Sequence, residues 1–267
     1  MYFSNAFAPQ PKFFDNSRTS LKDISSGKRH CPEISNQEFS LKLLFSGSLK
    51  TPSILLANVQ SLRAKYDELL ALGATLKPHV FALCESWLHE DISDDEIYIP
   101  EYTSFRCDRR EEKKGGRVCV YVHETLYCEE VVIDPPPRPT CIECISLIIR
   151  DFNVLLIALY VPPNVSSLQC QNISDYLIEI FDKITTSLPD LMTIIAGDLN
   201  KFPTALIEDH LNLMQVVNSP TRGNAVLDKI LLDRRLIPSQ NVDRNHVSSS
   251  LVSVCPGIGN SDHQSVF

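Results

Sequence analysis

The sequence lacks the features that would mark several common classes of protein. The longest apolar run, Val154 to Val161, is far shorter than the roughly 20 residues that a membrane helix needs. The sequence does not open with a basic segment followed by a sustained apolar stretch, so it does not indicate a secretory signal. Positive charge is not in excess either, since the net charge is -8, which argues against a protein that holds nucleic acid by bulk electrostatics. A globular enzyme whose carboxylates gather a metal ion remains compatible with this composition.

Cysteine is present, but not in a pattern that predicts a disulfide framework or a zinc site. The nine cysteines are scattered, and the CxxC pair of Cys141 and Cys144 has no second pair or histidine pair to complete four ligands. The thiols are therefore expected to be ordinary free cysteines in a reducing compartment. This predicts an intracellular location, with the nucleus left open.

The chain divides into two parts of different character. Residues 1–50 are rich in Ser, Asn, Lys and Pro without a sustained period, which predicts a poorly ordered leader. Residues 51–267 predict one α/β domain of the α+β type. An apolar run at "ILLANV", a helix-like segment from about Arg63 to Leu76 and a second run at "HVFALC" form a strand, helix, strand unit.

The middle of this domain predicts antiparallel strands and then a long helix. Four short runs between Arg117 and Tyr160, separated by charged or proline-rich turns, resemble an antiparallel meander. From Asn172 to Leu188, apolar residues recur at helical spacing behind a possible cap at Asn172 or Ser174. Three more runs of strand length follow the helix.

Polar side chains end or closely follow many of these short apolar runs. They are Asn58, Glu85, Tyr160, Asp198, Asn200 and the adjacent Asp262 and His263. Sheets in α/β enzymes carry their active groups at strand ends, where a rigid scaffold meets solvent. Each residue taken singly is also compatible with a turn former, but together they indicate a catalytic site.

Two of these strand ends carry acids with a specific chemical use. In "GDLN", Gly197 allows a tight turn, and Asp198 and Asn200 would point to the same side of an extended chain. A carboxylate that takes a proton beside an amide that donates a hydrogen bond suits the activation of water. The alternative is an Asx-rich turn. Glu85, at the mouth of a buried strand, needs a cation or a hydrogen-bond donor, and a metal would supply that need.

A third acid, Asp228, lies inside the apolar strand "VLDKILL" and needs a partner there. A histidine is the best candidate, because a carboxylate that holds one ring nitrogen fixes the tautomer and aims the other nitrogen. His263 is the histidine that also adjoins a second acid, Asp262. The other histidines lie near ordinary turns and are interpreted as solvated.

These segments, taken together, resemble the endonuclease/exonuclease/phosphatase superfamily. More narrowly, they are similar to the apurinic-type endonuclease domain of non-LTR (LINE-like) retrotransposons. The similarity covers about Ser53 to Phe267 and rests on seven segments in order: "NVQSL", "CESWL", "DRREEKKGGRVCVYV", "LYVPP", "GDLN", "SPTRGNAVLDKIL" and "SDH".

The resemblance implies a two-sheet β-sandwich flanked by helices, with the active site where the strand-end loops meet. It implies Mg²⁺-dependent hydrolysis of phosphodiesters, with Mn²⁺ as a substitute. Glu85 would bind the metal, with Asn58 and Asp262 in support. The retrotransposon branch nicks chromosomal DNA and exposes a 3′ hydroxyl that primes reverse transcription. The implied partners are DNA and a reverse transcriptase domain of the parent element, and no membrane.

The same resemblance assigns the remaining roles. Asp198 would orient or deprotonate the attacking water, and Asn200 would donate to the scissile phosphate. Tyr160 would contact a phosphate oxygen. His263, held by Asp228, would stabilise charge that develops on the phosphate oxygens.

DNA contacts are expected from two basic segments. Arg106 to Arg117 carries a local excess of three positive charges, with Arg109 and Arg110 as candidate phosphate contacts, although a solvated hairpin tip is the favoured interpretation of the charges. Arg222, in the "PTR" turn, is a similar candidate.

Some residues depart from the family pattern. The last run, "QSVF", is shorter than an ordinary strand, which predicts a truncated last strand and a weakly anchored His263. Lys229 stands where an apolar residue is usual, and Arg117 replaces a third glycine. Two alternatives therefore stay open: a phosphoesterase of the same superfamily acting on RNA or a phospholipid, and a transposon remnant without catalytic activity.

Overall fold

The computed structural model describes residues 51–108, 115–131, 142–237, 242–243, 246–247 and 251–267. The predicted leader, Cys141 of the CxxC pair and the candidates Arg109 and Arg110 lie outside these residues. None of the described helices is long and apolar enough to cross a membrane.

Two six-stranded sheets form the body of the domain. The first contains β1 Ile54–Asn58, β2 Val80–Cys84, β3 Tyr102–Cys107, β4 Val118–His123, β13 Val254–Cys255 and β14 Ser265–Val266, in the order β13-β14-β1-β2-β4-β3. The second contains β5 Cys128–Glu130, β6 Glu143–Ile149, β7 Val154–Tyr160, β8 Met192–Asp198, β9 Leu213–Gln215 and β10 Asp228–Asp233, in the order β5-β6-β7-β8-β10-β9. The short β11 Val242–Asp243 and β12 His246–Val247 pair with each other.

The two sheets are mixed and pack face to face. β1 pairs with β2 in parallel, as β7 does with β8, and the other neighbours are antiparallel. Leu56 and Ala82 of the first sheet share one buried core with Leu156 and Ala196 of the second. The residues next to them along each strand point away from that core and are buried in two further clusters on the outer faces of the sheets. Both faces of each sheet are therefore buried, which explains why the strands are continuous apolar runs in the sequence. The predicted two-sheet sandwich with flanking helices is confirmed.

Within the described ranges, three α-helices flank the sheets: α1 Tyr66–Leu76, α2 Ser167–Ser187 and α3 Ala205–His210. The predicted cap of α2 at Asn172 or Ser174 is wrong, since both residues lie within the helix. Ser166 is the cap, because its hydroxyl accepts the Gln169 N–H while the Gln169 side chain accepts the Ser166 N–H.

The predicted antiparallel meander is also wrong in its connectivity. β4 pairs with β2 and β3 in the first sheet, whereas β5, β6 and β7 follow one another in the second. The chain therefore crosses between sheets after His123. The edge strand β3 was not predicted, because only Tyr102 and Phe105 among its residues are buried and the apolar pattern is weak.

The C-terminal strand is short, as expected, but the expectation that it anchors His263 weakly is wrong. β14 lies between β1 and β13, with Val266 opposite Leu56, and Val266 is fully buried. Ser253 and Phe267 exchange two backbone hydrogen bonds of 2.7 and 2.8 Å. His263 itself is 3% exposed.

Lys229, the unusual cation of β10, is only partly buried. Its ammonium donates to the Phe202 carbonyl at 2.9 Å, and burial lowers its pKa. The aliphatic stem thus crosses the apolar surface while the charged end finds an acceptor.

Candidate active site

The predicted site residues meet at one end of the two sheets. In the first sheet, Asn58 ends β1 opposite Cys84, and Glu85 follows directly. In the second sheet, Tyr160, Asp198 and Asp228 are register partners across β7, β8 and β10. The convergence follows from topology, because β1 and β2, like β7 and β8, are parallel neighbours that end at the same edge.

A line of hydrogen bonds joins the two sheets at this edge. The Asn58 side-chain amide donates to Asp198 Oδ2 at 2.9 Å and lies 3.5 Å from His263 Nε2. The other ring nitrogen of His263, Nδ1, lies 2.8 Å from Asp228 Oδ2, which is the partnership that the sequence predicts. All four side chains are at most 4% exposed. The imidazole is therefore held by the Asp228 carboxylate, with Nε2 turned toward the Asn58 amide.

The "GDLN" segment forms a turn rather than an extended pair. β8 ends at Asp198, and Asn200 has a left-handed φ of 49°. The Asn200 N–H donates to Asp198 Oδ1 at 3.1 Å, and the Asn200 side-chain amide donates to the Val161 carbonyl at 2.8 Å. The expected alternation of an extended chain is wrong, and the segment forms the Asx turn that was the alternative interpretation, with the Asn200 N–H bonded to the Asp198 carboxylate.

Gly197 is required for close packing of β8 on β7. A Cβ atom at this position would lie 1.7 Å from the Leu159 carbonyl oxygen. The next residue, Asp198, is fixed by its N–H, which lies 3.2 Å from Cys84 Sγ on the opposite sheet. Gly197 thus lets β8 approach β7 closely, and the contact of the Asp198 N–H with Cys84 fixes the backbone from which the carboxylate projects.

Thr221 of the "PTR" turn supports the His263 pair, although sequence reasoning did not single it out for this role. Its hydroxyl oxygen accepts the N–H groups of Leu227 and Asp228, both at 3.0 Å. Its carbonyl accepts the Gln264 N–H at 2.7 Å. One buried threonine thus ties the segment that carries Asp228 to the segment that carries His263.

Glu85 is satisfied by hydrogen-bond donors. Its Oε2 accepts the Trp87 indole N–H at 2.6 Å and the Gly116 backbone N–H at 2.8 Å. The Tyr160 hydroxyl also bonds this carboxylate. Burial and the bond to Glu85 raise the pKa of Tyr160, so its hydroxyl remains a donor at neutral pH. Sequence reasoning missed Trp87 and Gly116, although both lie in the quoted "CESWL" and "KKGGRV" segments.

Asp262 lies at the solvent side of the site. It pairs with Arg222 at 2.6 Å and accepts the Gln60 side-chain amide at 2.7 Å. Burial acts to raise the pKa of Asp262, but the hydrogen bond and charge of Arg222, together with the Gln60 amide and the charge of His263, outweigh this effect and lower it. Gln60, another residue that was missed, also donates its N–H to Asn58 Oδ1 at 3.2 Å. Arg222 therefore borders the site, and its predicted phosphate contact stays a prediction.

The burial of Asp198 changes its protonation. Desolvation and the nearby charge of Asp228 raise the pKa of Asp198 to about 6, although His263 and Asn58 oppose the shift. Burial lowers the pKa of His263, but the hydrogen bond and charge of Asp228, with the charge of Asp198, prevail and raise it. At neutral pH the site thus holds a largely ionised Asp198 next to a histidine whose raised pKa favours its protonated form.

One cluster of described residues fits a cation by its geometry, and the predicted metal residues lie outside it. Among the described residues, Asp198, Asp228 and His263 form a cluster whose ligand atoms lie within 4.8 Å of one another, and Asp228 Oδ1 is buried without a hydrogen-bond partner. Glu85 and Asp262, the predicted metal residues, supply carboxylates outside this cluster. Their oxygen-rich chemistry fits a hard divalent cation. In the cluster, by contrast, His263 Nδ1 is already engaged by Asp228.

Part of the predicted basic segment is buried. The Arg106 side chain is 10% exposed and is paired with Asp94 at 2.8 Å and with Asp108. Arg117 is 5% exposed, and its backbone N–H donates to Glu143. The charge count of this segment suggested a free basic loop surface. These two cations cannot belong to such a surface, because both are largely buried.

Comparison with known proteins identifies the family and the fold of the chain. The model of the Endonuclease/Exonuclease/phosphatase family matches residues 55–249. The AP endonuclease of Archaeoglobus fulgidus superimposes with a TM-score of 0.59 at 14% identity, covering 81% of this chain and 98% of its own. The endonuclease domain of TRAS1, a telomere-specific non-LTR retrotransposon, superimposes with a TM-score of 0.54 at 15% identity, covering 81% and 96%.

A third similar structure is a variant of the 3′ phosphatase NExo from Neisseria bound to product DNA hairpin. Its TM-score is 0.56 at 13% identity, and the match covers 81% of this chain and 98% of that one. At these identities the structural matches establish the shared fold. Comparison with curated proteins gives no match.

Proposed function

Because the chain belongs to the endonuclease/exonuclease/phosphatase family, a family of metal-dependent phosphodiester hydrolases, we propose that it is a Mg²⁺-dependent endonuclease that nicks DNA. The observation that carries the proposal is the line from Asp228 through His263 and Asn58 to Asp198, with Glu85 on the neighbouring strand. It combines a base, a held imidazole and a carboxylate for a cation.

Asp198 is the proton acceptor of this reaction. The attacking water transfers a proton to its carboxylate as the water oxygen bonds to phosphorus and the bond from phosphorus to the 3′ oxygen breaks. The 3′ oxygen takes a proton from solvent and leaves as a hydroxyl. A pKa raised to about 6 by burial keeps Asp198 ionised near neutral pH, yet basic enough to accept this proton.

The negative charge on the phosphate oxygens is met by hydrogen-bond donors on both sheets. His263 in its protonated form, which the raised pKa favours, would donate from Nε2 while Nδ1 bonds Asp228, and the Tyr160 hydroxyl would turn its one proton from Glu85 to the phosphate. The second N–H of the Asn200 amide, whose other donor is tied to Val161, completes the set. Donors fixed in this way favour the transition state because they need no reorganisation during the reaction.

Glu85 would hold the cation, with Asn58 and Asp262 supporting the metal site. When bound, Mg²⁺ supplies charge neutralisation for the attack on an anionic ester, and Mn²⁺ is the expected substitute. We favour this set over the cluster around His263, because a cation between Asp228 and His263 would compete for the Nδ1 atom that orients the ring.

DNA is the proposed substrate, and a retrotransposon the proposed origin. The motifs "LYVPP" at Tyr160 and "SPTRGNAVLDKIL" at Thr221, which carry the resemblance to retrotransposon endonuclease domains, support this origin. The structural similarity to the TRAS1 domain supports it as well. The DNA hairpin bound to the Neisseria phosphatase supports DNA as the ligand of this fold. Arg222 would contact a backbone phosphate, and a reverse transcriptase of the parent element would extend the 3′ hydroxyl in the nucleus.

The test is conversion of supercoiled plasmid to open circle with Mg²⁺. Wild type is compared with Asp198→Ala and His263→Ala, and with His210→Ala as a matched control, because His210 lies 3.4 Å from Asp182 in an exposed Asp-His pair far from these strand ends. Extension of the nicked product by a DNA polymerase detects the 3′ hydroxyl. The proposal fails if wild type makes no more open circle than the Asp198 and His263 variants.

A further inference from the structure

The single tryptophan of the chain, Trp87, stands directly beside the proposed metal ligand. It lies two residues beyond Glu85 and is 41% exposed. Its indole N–H donates to Glu85 Oε2 at 2.6 Å, and the Gly116 N–H reaches the same oxygen at 2.8 Å. The indole therefore helps to set the direction in which the Glu85 carboxylate faces.

The segment from Glu85 to Trp87 is clamped on both sides by backbone hydrogen bonds. The Ser86 N–H donates to the Arg117 carbonyl at 3.1 Å, and the Trp87 N–H lies 3.4 Å from the Gly116 carbonyl. On the other side, the Ser61 N–H donates to the Glu85 carbonyl at 2.9 Å. The indole thus projects from a backbone segment that hydrogen bonds hold on both sides. These bonds fix the position from which the indole contacts the carboxylate.

This segment also adopts an unfavourable backbone conformation. Glu85 and Trp87 have φ values of 55° and 54°, in the left-handed region. A non-glycine residue there costs about 1–2 kcal/mol, and such conformations persist where the surrounding structure enforces them. The strain places the indole and the carboxylate on the same side of the segment, within hydrogen-bond distance.

We propose that Trp87 is a positioning residue that orients the Glu85 carboxylate for the divalent cation. This inference rests on the proposed function, since it assumes that Glu85 binds the metal. Ligands of bound metals are oriented by outer hydrogen-bond donors, and loss of one such donor typically weakens metal affinity or activity by about 10- to 100-fold. Without the indole N–H, the partly exposed carboxylate loses one of the two donors on Oε2 and gains freedom to turn.

Mn²⁺ binding, measured by electron paramagnetic resonance without DNA, gives a direct test. Trp87→Phe removes the N–H and keeps an aromatic ring, whereas Trp87→Ala removes both. We expect both variants to weaken Mn²⁺ binding by about tenfold. Tyr98→Ala, which removes another exposed aromatic ring, should leave it unchanged. DNA affinity in chelator should stay within about twofold in Trp87→Phe.

Fluorescence supplies a second measurement that needs no Trp87 variant. Because the chain has one tryptophan, Mg²⁺ titration should change its emission in wild type and leave it unchanged in Glu85→Gln. This comparison decides the matter if Trp87→Phe does not fold. Emission that is insensitive to Mg²⁺ in wild type would overturn the proposal.

The outcomes separate this inference from the proposed function. If wild type nicks DNA but Trp87→Phe binds Mn²⁺ normally, Trp87 does not position the carboxylate. If Trp87→Phe is normal and Trp87→Ala loses DNA affinity, the ring contacts the substrate instead, and the positioning role is also refuted. If wild type nicks nothing, yet Mn²⁺ binds and both Trp87 effects hold, the endonuclease assignment fails and the positioning role stands.

Discussion

Replacing Asp198 by asparagine should abolish nicking and at the same time stabilise the fold. The raised pKa of Asp198 is the reason, because the fold shifts it from 3.8 to about 6 and so favours the protonated form. The stability that this preference contributes is present below the unfolded pKa and is lost as the pH rises through about 6. Above that pH, wild type bears the whole cost of an ionised, buried carboxylate.

The size of this cost follows from the shift. About two pKa units correspond to about 3 kcal/mol at neutral pH. In Asp198→Asn the new side chain would keep an acceptor for the Asn200 N–H, but its own amide would face the Asn58 amide, and losing that hydrogen bond costs about 1 kcal/mol. The expected net gain is about 1–2 kcal/mol at about pH 7.5. It should fall by about 2 kcal/mol by about pH 4.5, where the wild-type carboxyl is largely protonated in the fold.

Urea unfolding in a chelating buffer measures this gain at both pH values, since a bound cation would offset the repulsion. Asp233→Asn is the matched control, because Asp233 is also buried but accepts hydrogen bonds from the backbone and the side chain of Arg235. That variant should be less stable than wild type at neutral pH. The reasoning is refuted if Asp198→Asn is less stable than wild type near neutral pH, or if its gain does not depend on pH.

Three further predictions concern other parts of the site. Asp228→Asn should lower kcat for nicking at least about 100-fold with KM for DNA little changed, since the His263 ring loses its orientation; a twofold effect would contradict this role. Gly197→Ala should lower the free energy of unfolding by more than about 3 kcal/mol in urea titrations, because its Cβ would overlap the Leu159 carbonyl, whereas Gly223→Ala, with no atom within 4 Å, should cost about 1 kcal/mol. Arg222→Ala should weaken DNA binding in anisotropy titrations and reduce the salt slope by about 1; an unchanged slope would exclude a phosphate contact.

Much of the site could be predicted because its residues stand at strand ends. An acid inside an apolar strand needs a partner, so Asp228 indicated a histidine, and His263 occupies that position. Glu85 indicated a cation or donors, but the donors could not be predicted. Gly116 comes from a distant turn, and the indole of Trp87 reaches back only because both Glu85 and Trp87 are left-handed.

The basic segment shows a different limit of prediction from sequence. A charge count treats every cation as solvated, but Arg106 is buried against two aspartates. Arg117 is buried where a glycine is usual. The start of α2 was missed for a different reason. The capping pair of Ser166 and Gln169 lies before the apolar repeat begins, so the repeat does not reveal where the helix starts.

The hydrogen bond between Asn58 and Asp198 joins side chains from opposite layers of the sandwich, and the contact of His263 with Asp228 does so again. A folding intermediate with only one layer formed would therefore contain half of the catalytic groups and have no enzymatic competence. Recovery of nicking during refolding should then follow the docking of the layers rather than the earlier appearance of β structure, which makes activity a reporter of the last step of assembly.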